Sequence, residues 1–177
     1  MHAVEFMKQP PQLIPPVTVL TGSQRHLKQS VLAILKKTVI DDDDSSLTVF
    51  NSSNTDLQSL TDELRTISMW GDRRLVILED ADDFVTKYRS GLEKYVEKPA
   101  KKSVLVLDVK TWTKTTRLAK QVAATGLDVE CSELKGVQLQ KWLQDTARDS
   151  YQQSLDRDAA ILLIELIGEQ LGMLDQE

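Results

Sequence analysis

The stretch VTVLTGSQRHLKQSVLAILKK, Val17 to Lys37, decides the fold. A short apolar run ends at Gly22, and Leu27, Val31, Leu32 and Leu35 then recur at helical spacing. This reads as a buried strand, a glycine turn and a helix. Lys36 and Lys37 suit the negative end of that helix's dipole. Working outward, LTVFN (47–51), RLVILED (74–80), SVLVLDV (103–109) and LDVEC (127–131) read as further strands. Helices are expected over SSNTDLQSLTDELRTI, over 82–97 and over KTTRLAKQVAATG. Apolar runs without polar alternation belong to strands covered on both faces, so the class is α/β, a five-stranded parallel sheet between helices.

Local signals sharpen the elements. Thr55 and Gln58 fit a capping box ahead of an inward stripe of Leu57, Leu60, Leu64 and Ile67. Gly126 fits the left-handed position that ends a helix. Pro10, Pro11, Pro15 and Pro16 make residues 1–16 a poor helix or strand interior, expected to be a mobile extension that carries His2. DDDDSS (41–46) is a solvated loop, because four adjacent like charges repel in a compact site. The strand pattern stops near 132–136. GVQLQKWLQDTARDSY places Leu139, Trp142, Leu143 and Ala147 on one helical face, and DRDAAILLIELIG and EQLGMLDQE follow as helices. The expected division is an extension over 1–16, an α/β domain over 17–133 and an all-helical domain over 134–177.

The 177 residues are 41% apolar and 28% charged, enough to bury a core. A net charge of −5 argues against a chain built to coat nucleic acid but leaves room for a local basic patch. A single cysteine, Cys131, excludes an internal disulfide and a multi-cysteine zinc site and suggests a reducing, cytoplasmic compartment. The N-terminus has no signal-peptide apolar region, and no run approaches the 18 apolar residues of a membrane span.

The turn after the first strand is where a phosphate-binding loop sits in such a fold, with the pattern G-x-x-x-x-G-K-[ST]. The register here is Gly22-Ser23-Gln24-Arg25-His26-Leu27-Lys28-Gln29. Gly22 and Lys28 match. Leu27 stands where the backbone must approach phosphate, and Gln29 replaces the magnesium-binding hydroxyl; Ser30 comes one residue late, about 100° round a helix. A working ATP site is therefore not expected. Glu79 and Asp80, at the end of a strand, could hold magnesium in an NTPase. With the loop broken they are read as acidic residues at the N-terminus of the next helix. His26 stands alone, Cys131 reads as a small buried hydrophobe, and no nucleophile–base set or metal-ligand spacing can be drawn.

Met69 and Trp70 pose a different question. Continued at about 100° per residue, the helix before them puts Met69 nearly opposite its apolar stripe and Trp70 about a quarter turn off it. Either the turn at Gly71 folds the pair back onto the sheet edge, or they form an exposed anchor for a partner, since Met adapts to irregular grooves and Trp is the commonest hot-spot residue.

From Val17 to Glu177 the chain resembles the delta subunit of the bacterial DNA polymerase III clamp loader. The blocks that carry the resemblance are VTVLTGSQRHLKQSVLAIL, NSSNTDLQSLTDELRTISMWGDRRLVILEDAD, LEKYVEKPAKKSVLVLDV and LKGVQLQKWLQDTARDSYQQSLDRDAAILLIELIGEQLGMLDQE. The resemblance implies an AAA+-like α/β domain, a helical lid domain and, beyond them, a collar domain absent from these 177 residues. It implies a subunit without ATPase activity or cofactor, grouped with DNA-directed DNA polymerase only as part of the holoenzyme. No sensor-type arginine appears in IGEQLGMLDQ. The family's clamp-binding element, a Ser followed by two large apolar residues, maps to Ser68, Met69 and Trp70, with Met-Trp where Leu-Phe is common. The implied partners are the sliding clamp (beta subunit), the ATPase subunits and delta prime, with DNA contacted weakly or indirectly and no membrane. Two other readings compete: an active P-loop NTPase, told apart by nucleotide binding, and a general AAA+-like interaction module, told apart by failure to bind the cognate clamp.

Overall fold

The computed structural model describes residues 1–66 and 73–177. It divides into two compact units, Met1–Ser132 and Glu133–Glu177. In the first, β1 (Val17–Thr21), β2 (Leu47–Asn51), β3 (Arg74–Glu79), β4 (Ser103–Val109) and β5 (Leu127–Glu130) form a parallel sheet in the order β2-β3-β4-β1-β5. The register places Val17 and Val19 beside Leu105 and Leu107, which in turn face Val76 and Leu78. These side chains pack with Leu60 and Leu64 of α3 (Leu57–Arg65), Phe84 of α4 (Asp82–Lys87), Leu92 of α5 (Arg89–Glu97) and Val122 of α6 (Arg117–Thr125) in one core. Successive strand residues point to opposite faces, so Leu20, Leu75, Ile77, Val104 and Val106 bury on the other side. There α2 (Arg25–Ile40) lies along β3 and buries Leu27, Val31 and Leu35. Each fully buried aliphatic side chain contributes about 1.5–3 kcal/mol, and the two-sided burial is why these strands read as unbroken apolar runs.

Several local expectations change. Residues 1–16 are not a loose extension. A helix, α1 (Ala3–Lys8), buries Ala3 and Phe6 and packs against α2. The N-terminus is tied to the outer edge of β5: Glu130 N–H donates to Met1 O at 2.9 Å, and the α-amino group donates to Asp128 O at 3.0 Å. The prolines begin only after α1 has ended. Asp56, not Thr55, caps α3, its carboxylate accepting from Ser59 N–H at 2.8 Å. The expected helix over 82–97 is two helices broken at Tyr88. Gly126 ends α6 with φ −116°, extended rather than left-handed. Glycine is required there by close approach, since a Cβ would lie 2.6 Å from Val17 O. Within 41–46, Asp43 caps a short 3-10 turn (Asp44–Ser46) by accepting from Ser45 N–H at 3.0 Å.

The second unit contains α7 (Val137–Tyr151), α8 (Arg157–Ile167) and α9 (Leu171–Leu174). Leu139, Trp142 and Leu143 are buried, with Ala147 half-buried at the end of that stripe. Gln144 donates to Leu155 O at 3.1 Å, fixing the α7–α8 loop, and Asp156 caps α8 by accepting from Ala159 N–H at 2.8 Å. Among the described residues, no helix is long and apolar enough to cross a membrane.

Candidate functional site

Ligands of open parallel sheets bind beyond the carboxyl ends of the strands, where the strand order reverses. In the order β2-β3-β4-β1-β5 that point lies between β1 and β4. A cleft of about 440 Å³ opens there, lined by Gly22, Lys28, Gln29, Glu79, Asp80 and Asp108 among others.

The turn that should cradle phosphate is occupied by the protein's own groups. Gly22 has φ +120°, and a Cβ on it would sit 2.3 Å from Cys131 O. Its N–H donates to Val109 O at 3.1 Å, and Gln24 N–H donates to Cys131 O at 3.0 Å. A phosphate-binding loop needs its backbone N–H groups free and a helix that follows the motif. Here α2 begins at Arg25, inside the eight-residue pattern. Leu27 is already helical and wholly buried, which commits its side chain to the core.

Lys28 is 8% exposed. Its ammonium pairs with the Asp108 carboxylate and donates to Val109 O at 2.9 Å. A charge this deeply buried needs a partner and further hydrogen bonds to offset desolvation, and β4 supplies both. Gln29 is exposed, and Ser30 Oγ donates to His26 O at 3.0 Å within α2. The lysine of the pattern is thus bound internally, and its hydroxyl substitute is turned onto the helix.

The remaining acids divide by role. Asp82, in the first turn of α4, accepts from Lys110 N–H and Thr111 N–H at 2.9 Å each and from Thr111 Oγ1 at 3.0 Å. Desolvation raises its pKa, but these bonds outweigh it and hold the carboxyl below the usual range. Asp80 has φ +49°, and its carbonyl accepts from Ser52 Oγ at 2.6 Å. Glu79 and Asp80 are exposed, and Asp82 takes the helix-start position expected of them. Cys131 is fully buried, and burial pushes its thiol up to about 12, ahead of a smaller opposing effect from Lys28. It is a packed hydrophobe, not a thiolate nucleophile. Among the described residues, no group of three or more His, Cys, Asp or Glu is placed to hold a metal.

Sequence reasoning missed Asp108 and Asp82. Asp108 had a visible signal, as the one charged residue in SVLVLDV, but its partner lies 80 positions away. The three residues read as a partner anchor, Ser68, Met69 and Trp70, lie outside the described residues, as do Ile67 and the turn at Gly71. Their flanks are fixed. Thr66 N–H donates to Glu63 O at 3.1 Å, and the Arg73 guanidinium donates to Ile14 O at 2.6 Å, where burial lowers its pKa.

The model of the family described as DNA polymerase III, delta subunit, matches residues 19–132, more than half of the chain. The chain belongs to the DNA polymerase III delta subunit family. DNA polymerase III subunit delta of Bacillus subtilis (strain 168) is 26% identical over 174 residues, covering 92% of this chain and 50% of that protein. This delta-family chain therefore spans about half the length of the curated relative it matches. Among solved structures, the Bacillus subtilis DNA clamp loader delta protein superimposes with a TM-score of 0.80 at 24% identity, covering 98% of this chain and 54% of that one. A DNA polymerase III gamma subunit-related protein of Thermotoga maritima gives a TM-score of 0.52 at 15% identity, covering 96% and 58%. At these identities the superpositions speak for the fold: a five-stranded parallel sheet between helices, followed by a helical unit.

Proposed function

We propose that this chain is the clamp-contacting part of a clamp-loader subunit: it binds the DNA polymerase sliding clamp and helps open the ring for loading onto DNA. Membership of the delta family carries this reading. Ser68, Met69 and Trp70 form the clamp-binding element, in the α3–β3 connection where the family resemblance expects it. Two adjacent large apolar residues suit a hydrophobic cleft on a partner. The work is mechanical. A binder shifts the clamp toward an open ring only by the difference in its affinity for the open and closed forms.

The subunit itself is non-catalytic and takes no cofactor. Lys28 already has an internal anion in Asp108, and the N–H groups of Gly22 and Gln24 are spent on carbonyls, so a triphosphate would have to displace both. Nucleotide-driven control then belongs to neighbouring ATPase subunits, with delta prime a further partner. Residues 17–133 serve as the AAA+-like domain and 134–177 as the lid, in the bacterial cytoplasm. Calorimetric titration with Mg-ATP should give no heat of binding at micromolar concentrations, while the purified cognate clamp should bind directly. Micromolar ATP affinity sinks the non-catalytic reading; a chain that ignores the clamp sinks the clamp-loader reading.

A further inference from the structure

The amino ends of the strands carry a feature that the family match does not assign. Ser103 Oγ, at the start of β4, donates to Leu64 O at 2.7 Å in a buried bond that locks the end of α3 to the sheet. One residue beyond each partner stands an exposed cation, Arg65 after Leu64 and Lys102 before Ser103. Arg74 N–H donates to Lys102 O at 2.8 Å, which brings the start of β3 to the same corner. Lys101 and Lys98 follow in the α5–β4 loop, both exposed. The Arg65 charge reaches the Tyr95 phenol on α5, acting against the rise that burial causes there. Among the described residues, none of Arg65, Lys98, Lys101 and Lys102 is in an ion pair, whereas nearby Arg74 is paired with Glu63 and Glu97 with Arg117. Four exposed cations without an ion pair among the described residues thus gather on a chain of net charge −5.

We infer that this basic corner docks an acidic protein surface bordering the hydrophobic cleft of the sliding clamp. The inference rests on the clamp-binding reading above. Arg65 and the Lys102-bound Arg74 lie on either side of segment 67–72, so the corner adjoins the proposed anchor without containing it. Apolar anchors set how long a complex lasts. Complementary charges beside them mainly raise the rate at which it forms and make that rate salt-sensitive. The corner supplies steering and orientation; Met69 and Trp70 supply the hold. A nucleic-acid role is less favoured, because the rest of the chain is acidic and four clustered cations give only a small phosphate footprint.

The test is stopped-flow association of the 177-residue chain with purified cognate clamp across a salt series. The chains compared are wild type, Lys101→Glu/Lys102→Glu, and a control of equal charge change elsewhere, Lys114→Glu/Lys120→Glu. The corner variant should associate about tenfold more slowly at low salt, with a shallower salt dependence, an unchanged thermal melt and a dissociation rate within about twofold of wild type. Lys101→Arg/Lys102→Arg should restore the wild-type rate. Equal rates and salt slopes for the corner variant and wild type overturn the inference and leave the anchor reading intact. Equal slowing of corner and control variants also overturns it, because net charge alone then explains the effect. Loss of oligonucleotide binding with clamp association unchanged reassigns the corner to DNA. A wild-type chain that fails to bind clamp removes both readings.

Discussion

The two ends of one sheet have been treated differently. At the carboxyl ends, where the fold ordinarily receives ligands, several polar groups are consumed internally, Lys28 by Asp108 and Val109, Gly22 and Gln24 by carbonyls, Asp82 by the backbone after β4, while Gln29, Glu79 and Asp80 stay exposed. At the amino ends, Ser103, Arg74 and Glu63 are also paired, yet four cations are left facing solvent beside segment 67–72. On the proposed reading, the fold keeps its architecture while its ligand end becomes a structural joint and recognition passes to the amino-end edge. The site, not the fold, carries the function.

Breaking the joint should produce the largest effect. Asp108→Ala strands the buried Lys28 ammonium, so a loss of about 3 kcal/mol of unfolding free energy is expected by chemical denaturation. Lys28→Met leaves the Asp108 carboxylate unpaired, but that side chain is 24% exposed against 10% for Lys28 and can hydrate, so the loss should be smaller, about 1 kcal/mol. A lysine that merely rested near Asp108 would make the two variants equal.

Gly126 tests the other end. Its missing Cβ lets the α6–β5 turn pass against Val17 O, so Gly126→Ala should lose about 2 kcal/mol through overpacking against backbone. An unchanged melting temperature would show that the turn relaxes freely.

The smallest effect concerns pH. The folded pKa of Asp82 is depressed, so its contribution is present above the ordinary carboxylate value of 3.8 and is lost as pH falls through the folded pKa. The stability gap between wild type and Asp82→Ala should be constant near neutrality and close below about pH 4. A gap that persists into stronger acid would mean that Asp82 acts by packing alone.

How much of this was legible follows from where each signal lives. The strands announced themselves because two-sided burial demands uninterrupted apolar residues, and Val104 to Leu107 or Leu75 to Leu78 leave no other reading. The departures from the phosphate-loop pattern at Leu27 and Gln29 were visible. What fills the loop was not, because the Lys28–Asp108 pair joins residues 80 positions apart. The helix α1 hid behind the prolines that follow it, and it is held by tertiary contacts of Ala3 and Phe6 rather than by propensity. The cap of α3 slipped from Thr55 to Asp56 because adjacent side chains can both accept from the first turn, and only the backbone decides which one does. Gly126 was expected at a helix end for its conformation and is needed there for its size.

The central claim, that recognition has moved to the amino-end edge, is tested most directly by Met69→Ala/Trp70→Ala. Clamp affinity and thermal stability should be measured on the same sample. Each truncation of a docked hot-spot residue typically costs about 2–4 kcal/mol of binding, so the double variant should show no detectable clamp binding while melting within a degree or two of wild type. If the pair instead belongs to the core, cavity formation on losing the tryptophan should cost about 3–5 kcal/mol of folding stability. A variant that melts far lower, or one that binds the clamp normally, would contradict the account.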